Sequence, residues 1–470
     1  MTKAVVLGGG FAGVLVAKVL SRHVDDVTVV EGGRYPVGPD VRSGVPQAFH
    51  SHVLVTAGAE ALETLLPGTL RALLGQGAHR RGLPDDALIL SADGWFRRHD
   101  TGAYLVSCSR WLMDHVIRQR ALADGAVTVR ERTRVLGLAG DASRVTGVVV
   151  AGEDGAGETL RADLVVDATG RRSRAGRWLA GIGGPDVEEE VVDPGLAYST
   201  RIYRAPAGLT AGMPALMVHP RPSNGVPAYG ATLFPIEDDR WIVTLTGTRA
   251  ATPPTDAQGF ADCAKSLRSP IVAELLAAAE PLGGVRPYRA TANRRRFFER
   301  RPVPEGFLVV GDALTAVNPV YSHGMSVALL SAVRLDLELA ERGAAPSVLP
   351  AVQTAVAEVA DRSWRMATEQ DRVVRAGSHG SASTVGQQRV RARMSEAVLG
   401  SPALMTRLFR AQTLVPPLVA ADPSVPRFPS AGPNPPLDTD GAVAQFPRLS
   451  EWWFSGRSHQ QPTREESRDD

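Results

Sequence analysis

The chain has 470 residues, 44% of them hydrophobic and 22% charged, with a formal net charge of +2. This balance fits a soluble globular protein able to bury a large core, and so small a net charge gives no reason to expect a nucleic-acid partner. Cys108 and Cys263 are the only cysteines, which excludes a disulfide framework or a cysteine metal set and points to a reducing, cytoplasmic setting.

The first predicted element is the apolar strand Ala4-Val5-Val6-Leu7, which runs straight into Gly8-Gly9-Gly10-Phe11-Ala12-Gly13. An apolar helix from Phe11 to Leu20 follows, then a second strand, Val27 to Val30, ending in Glu31. Strand, GxGxxG, helix and a distal acid form the dinucleotide-binding fingerprint in its proper context. The glycines let the backbone approach a pyrophosphate, the helix N-terminus faces it, and the acid accepts hydrogen bonds from a ribose. The same unit explains the apolar N-terminus without a signal peptide. No apolar run is long enough to span a bilayer.

Residues 34–46 read as a loop and 57–78 as helical. Arg110 to Leu122 reads as an amphipathic helix with Ser109 as its N-cap. Residues 126–167 alternate as strands with Gly- or Asp-rich turns, which predicts a small β-meander leading back into the parallel sheet. From 186 to 290 strand-like pieces recur at Ala197–Tyr203, Tyr229–Pro235 and Trp241–Gly247, with a helical piece from Phe260 to Ala279. The chain then resumes its first domain with the strand ending at Gly311-Asp312. Residues 324–370 and 386–414 carry helical apolar spacing, and prolines crowd Val415 to Pro436.

The predicted fold is α/β: a GxGxxG Rossmann-like domain with an inserted antiparallel-sheet domain and a helical C-terminal region. The first domain takes residues 1–75, 100–185 and 286–345, and the substrate domain 76–99 and 186–285. Residues 346–421 form the helical region, and 422–470 a Pro-rich, polar tail expected to be largely disordered.

Two further strand ends carry chemistry. At Asp312 an acid closes a buried strand, and a helix opens soon after at Gly324-Met325. The acid can hold ribityl hydroxyls and the helix N-terminus an anionic flavin edge, although a solvent-facing aspartate would read the same way. Asp167-Ala168-Thr169-Gly170 lies at another strand end, where its glycine allows close packing or merely a left-handed turn.

Together these stretches resemble the flavoprotein monooxygenase superfamily with the glutathione-reductase-type FAD fold, which includes aromatic hydroxylases and squalene epoxidase. Arg42-Ser43-Gly44-Val45-Pro46-Gln47-Ala48-Phe49-His50-Ser51-His52, Cys108-Ser109-Arg110, Asn318-Pro319-Val320-Tyr321-Ser322-His323-Gly324-Met325 and Pro235 to Thr244 narrow the match. They are similar to the actinobacterial epoxidases that act on polyene precursors of polyether ionophores. The resemblance runs from residue 1 to about 370.

It implies non-covalent FAD, with Gly8, Gly10, Phe11, Ala12, Gly13 and Glu31 at the ADP part. Arg42 and Arg110 would neutralise the pyrophosphate or contact the ribityl chain, unless they are plain surface charges. Asp312 would bind the ribityl and phosphate region, and Gly324 and Met325 the isoalloxazine. It further implies O₂ as co-substrate, a flavin C4a-hydroperoxide, and epoxidation of an apolar polyketide or polyene. No catalytic side chain and no metal are then required, because the flavin carries the hard step. Hydroxylation of an aromatic polyketide is the alternative and would benefit from a base, for which His50, His52 and His323 are the candidates, although each reads more plainly as a structural histidine holding a loop. An isoprenoid double-bond reductase and a non-catalytic flavin scaffold are more distant readings.

No CxxC, no second GxGxxG and no halogenase Trp-x-Trp-x-Ile-Pro signature is present. NAD(P)H therefore has no fold of its own here, and a separate flavin reductase is the expected electron donor. Asn293 to Arg301 is the densest basic run and reads as a salt-bridged strand edge or, more sharply, as a docking patch for that reductase. Tyr203, Met217, Leu233, Phe234 and Phe297 are the candidate lining of a substrate pocket under the antiparallel sheet, with ordinary core packing the plainer reading of any one of them.

Overall fold

In a computed structural model, residues 1–210, 212–221, 228–248, 251–301, 303–377, 396–416 and 436–458 are described. The centre is a five-stranded parallel sheet in the order Phe307–Val309, Leu164–Asp167, Lys3–Leu7, Asp26–Val30, Val127–Arg130. Every neighbouring pair is parallel, so the C-terminal ends of all five strands emerge on one side. The strands are runs of Val and Leu buried on both faces, as a covered parallel sheet requires. The helices Phe11–Leu20 and Gly324–Arg342 belong to this core.

The meander exists, but its strands are Arg134–Gly140, Val145–Ala151 and Gly157–Arg161. Leu164–Asp167 leads back into the parallel sheet as expected, and Val127–Arg130, which the alternation also marks, joins that sheet as well. The outer meander strands escape a sequence reading because one holds two glycines and an alanine and the other is mostly exposed.

The second sheet has six strands. Their order is Glu280–Tyr288, Leu196–Arg204, Arg240–Thr248, Gly230–Ile236, Ala215–Val218, Ala87–Leu90. All neighbours are antiparallel except the last pair. Alternation divides it into two faces. The outer face carries Tyr203, Leu216, Leu233, Trp241 and Val243 and packs on the helices Ala257–Lys265 and Ile271–Ala278. The inner face carries Ile202, Met217, Phe234 and Ile242 and packs with Phe96, Met405 and Phe409.

This sorting corrects the candidate pocket. Tyr203 and Leu233 are core residues of the outer face, and Tyr203 packs beside Phe260. Leu233 and Phe234 are adjacent in one strand, so they cannot share a face. Phe297 is not on this sheet at all. It follows the strand Asn293–Arg296 and lies between two guanidinium groups, Arg295 at 5.1 Å and Arg300 at 3.4 Å from its ring centroid.

The tail also departs from expectation. Thr439–Val443 and Pro447–Ser458 are helices, and they bury Val443, Phe446, Leu449 and Trp453 under the outer face of the second sheet. Asp438 caps the first of them by accepting the Gly441 N–H at 2.7 Å. A few apolar and aromatic positions among polar neighbours suffice once a sheet face is there to cover them. Residues 417–435 and 459–470 of the tail, and 378–395 of the helical region, lie outside the described residues. The rest of that region contains the helices Leu349–Gly377 and Pro402–Gln412. Among the described residues no helix is long and apolar enough to cross a membrane.

Candidate functional site

Three loops meet above the C-terminal ends of the parallel strands. Gly8 sits at φ +92°, and a Cβ there would come within 2.9 Å of the Ala168 carbonyl oxygen. Only glycine accepts both the left-handed backbone and that approach. A Cβ on Gly13 would fall 1.8 Å from the Gly8 carbonyl oxygen, so the helix rests directly on the turn. At Gly10 a Cβ would meet nothing within 4 Å, so open space lies in front of the helix N-terminus.

Glu31 is held from several sides. Its carboxylate accepts the Gly9 N–H at 2.8 Å and the Gly33 N–H at 2.7 Å, and it pairs with Arg42. Burial pushes this carboxyl up, but Arg42 and the two amides outweigh it and hold Glu31 below the usual carboxylate range. Arg42 also donates to the Gly9 carbonyl at 2.8 Å and lies 5.0 Å from the Tyr35 ring centroid. Arg110 is buried, 2.7 Å from Asp114 and 5.3 Å from the Phe11 ring centroid. Both arginines therefore stand beside the glycine turn rather than on open surface.

Tyr35 and Arg118 are part of this cleft and escaped the sequence reading. The Tyr35 hydroxyl donates to the Gly9 carbonyl at 2.8 Å, and Arg118 lies 4.6 Å from the Tyr35 ring centroid. Gly9, Gly10, Phe11, Arg42, Asp114 and Arg118 all line the cleft. The signal for Arg118 was there, because Arg110, Asp114 and Arg118 fall at intervals of four on one helix face.

The Asp167 loop is structural. Its carboxylate is fully buried and accepts from the Thr169 N–H at 2.8 Å, the Thr169 hydroxyl at 2.6 Å and the Ser173 hydroxyl at 2.5 Å. It spends its acceptors on its own turn, and that turn supplies the carbonyl against which Gly8 packs.

Asp312 behaves differently. Among the described residues nothing hydrogen-bonds its carboxylate. Burial pushes it up, while Arg171 and then Arg110 act in the opposite sense. One carboxylate oxygen lies 3.7 Å from where a Gly324 Cβ would stand, so Asp312 faces the N-terminus of the helix Gly324–Arg342. Gly311, at φ +58°, brings this loop against Ala12 of the first helix. The donor set fits FAD. There is open space before a helix N-terminus for a pyrophosphate, and a second helix N-terminus for a ring edge. Glu31 and the unpartnered Asp312 supply carboxylates for hydroxyl groups.

The inner face of the second sheet reaches this region through Tyr198, whose hydroxyl donates to the Asn318 side-chain oxygen at 2.6 Å, and through the contacts of His50. His50 Nδ1 is 2.8 Å from Thr200 Oγ1, which is 2.8 Å from Thr244 Oγ1, and Ser51 Oγ closes the chain at 2.8 Å from Thr244. The His50 ring packs 5.0 Å from the Tyr288 ring, and Tyr288 stacks on Tyr198. Burial lowers His50 to about 4. Burial, reinforced by Arg110, lowers His52 to about 3, and His52 Nδ1 donates to the His50 carbonyl at 2.8 Å. His323 has both nitrogens engaged, with Ser363 Oγ at 3.0 Å and the Gln412 carbonyl at 2.9 Å. It ties three helices together and has no nitrogen left for a substrate. Of the candidate pocket residues, Met217 and Phe234 lie on this inner face, where they pack in the cluster of Phe96, Met405 and Phe409.

Arginines of the basic run are salt-bridged, as the first of its two readings expects. Arg294 and Arg296 pair with Glu189, Arg295 with Glu299 at 2.5 Å and Asp361 at 2.8 Å, and Arg300 with Glu188 at 2.5 Å. Arg295 is only 1% exposed. Arg295 and Arg296 are thus neutralised in the interior, whereas the Arg294 and Arg300 pairs lie at the surface.

Residues 1–370 match the family model described as FAD binding domain. Protein Rv3254 of Mycobacterium tuberculosis is 31% identical over 355 residues, which are 73% of this chain and 74% of that protein. The 6-methylpretetramide 4-monooxygenase of Streptomyces rimosus is 27% identical over 79% of this chain and 84% of its own length. Among solved structures, pqsL, a probable FAD-dependent monooxygenase from Pseudomonas aeruginosa, has a TM-score of 0.58 at 19% identity. It matches 80% of this chain and 96% of that one, and shares the fold.

Proposed function

The chain belongs to the FAD binding domain family of FAD-dependent monooxygenases, and from that premise we propose that it epoxidises alkenes of an apolar polyketide or polyene. When bound, FAD supplies the reductive activation of O₂. The glycine turn and Glu31 hold the ADP part, with Arg42, Arg110 and Arg118 offsetting the charge of the pyrophosphate. Asp312 holds the ribityl chain, and the N–H groups of Gly324 and Met325 face the ring edge.

The observation that carries the reading is the roof. Its central strands present Tyr198, Thr200, Ile202, Phe234, Ile242 and Thr244 inward, all apolar or hydroxyl-bearing. The adjoining His50 is neutral at pH 7 and, at about 4, a weak base. Oxygen transfer to an alkene needs a dry, shaped, uncharged wall and no base, whereas making a phenolate needs one.

Hydroxylation of an aromatic polyketide is the second reading, favoured by the likeness to 6-methylpretetramide 4-monooxygenase. Incubation under ¹⁸O₂ with a flavin reductase, a panel of polyenes and a panel of polycyclic phenols separates the two. Label in an epoxide is the expected result, and label in a new phenol overturns it for the second reading. Saturation without label, or no turnover on either panel, points to the reductase or the scaffold. Because the chain shows no second dinucleotide turn, NADPH or NADH alone should reduce the flavin slowly. Rapid anaerobic bleaching by either nucleotide would remove the need for a separate reductase.

A further inference from the structure

We propose that Asp371 is a positioning residue that fixes the flavin-facing turn Asn318–Tyr321 and ties it to the roof. Asp371 lies on the helix Leu349–Gly377, outside the strand ends that build the rest of the site, and is 2% exposed. One carboxylate oxygen accepts the Tyr321 hydroxyl at 2.5 Å. The other accepts the side-chain amides of Asn293 at 2.6 Å and Asn318 at 3.3 Å.

Asn318 carries the connection onward. Its amide oxygen accepts the Tyr198 hydroxyl from the roof at 2.6 Å and the Val320 N–H at 3.2 Å. Its own N–H donates to the Asn293 side-chain oxygen at 2.7 Å. One buried carboxylate thus holds both ends of a short turn and, through Asn318, the strand Leu196–Arg204 above it. That turn exposes Pro319 and Val320 and leads directly into the helix that begins at Gly324. A fully satisfied buried network has a single arrangement, so the turn, the helix N-terminus and the roof move together or not at all. The roof-to-flavin spacing is set through Asp371.

Asp371→Ala and Asp371→Asn test this in full-length protein loaded with FAD, and no substrate is needed, so the outcome is independent of the epoxidation reading. The readouts are the visible flavin band and the rate at which O₂ reoxidises photoreduced FAD. Asp371→Ala should retain FAD but shift the band and change the reoxidation rate by about tenfold, since small misplacements at a reacting centre cost at least that much. Asp371→Asn should stay near wild type, because its oxygen can accept from the two asparagine amides while its amide donates to Tyr321 Oη. An Ala variant indistinguishable from wild type overturns the proposal. So do Ala and Asn variants altered equally, which would make the carboxylate's charge the cause and not its geometry. Should Asp371→Ala fail to fold, Tyr321→Phe removes one donor from the same carboxylate. A shifted band then supports the proposal and an unchanged one overturns it.

Discussion

The parallel-sheet half and the roof half build their shares of the site in opposite ways. In the parallel half the working parts are backbone. Turns at strand ends leave N–H groups and open space, and side chains are kept out by contacts as close as the 1.8 Å that a Gly13 Cβ would make. In the roof half the parts are side chains of ordinary type, brought together by register. Thr200 meets Thr244 because the two strands pair them, and both meet the loop of His50 and Ser51. The difference teaches that a backbone-built site fails abruptly on substitution, whereas a side-chain-built site degrades by degrees.

The largest expected effect tests the abrupt half. Gly13→Val should abolish FAD binding and lower the melting temperature sharply, as read by flavin absorbance and thermal unfolding. Gly10→Leu sharpens the point, because its side chain would enter open space. It should fold normally and bind no FAD, and wild-type flavin content in that variant would contradict a pyrophosphate seat at Gly10.

Next comes the support of the roof from outside. Trp453 is 1% exposed, with its indole N–H donated to Asp440 at 2.7 Å. Trp453→Ala should cost about 4 kcal/mol in denaturant unfolding. No loss of stability would mean that the C-terminal helices do not cover the sheet.

Two neighbours then test the sheet's sidedness. Leu233→Ala and Phe234→Ala should each cost about 3 kcal/mol. Only Phe234→Ala should change substrate binding, with FAD retained, because only Phe234 faces inward. Equal effects on binding from both would break the comparison between faces.

The smallest effect is in pH. His323 is lowered by burial to about 4 in the folded chain, against about 6.5 when unfolded. Between these values the unfolded chain binds the extra proton. The contribution is therefore complete above about 6.5 and lost as pH falls towards 4. Stability should fall by at most about 1.4 kcal/mol per pH unit for this group across that window. Urea midpoints at pH 7 and pH 5 should differ less in His323→Gln than in wild type. Identical differences would show that His323 is not the group responsible.

The legible parts of the site were those where function resides in local backbone. Gly8, Glu31 and Asp312 lie at the ends of predicted strands, and Gly10 and Gly13 at the start of the helix that follows the first, because a parallel strand followed by a helix leaves few ways to arrange the turn between them. The arginine spacing on the helix Arg110–Ala121 was equally local, yet Arg118 went unread because nothing in the sequence shows which face of that helix meets the cleft.

What the amino-acid sequence determined by itself was therefore the α/β fold, the dinucleotide turn and the existence of a second sheet. Each follows from a repeating pattern over neighbouring residues. Which residues of the second sheet share a face with which helices was decided only by the tertiary structure, and it placed Tyr203 and Leu233 in the core under the outer helices. The ion pairing of the basic run came in the same way, since Glu188, Glu189 and Asp361 reach its arginines from elsewhere in the chain. Asp371 is the extreme case. It is one acid on a long helix until the fold sets it beneath Asn293, Asn318 and Tyr321, because hydrogen bonds depend on distance in space and not on separation along the chain.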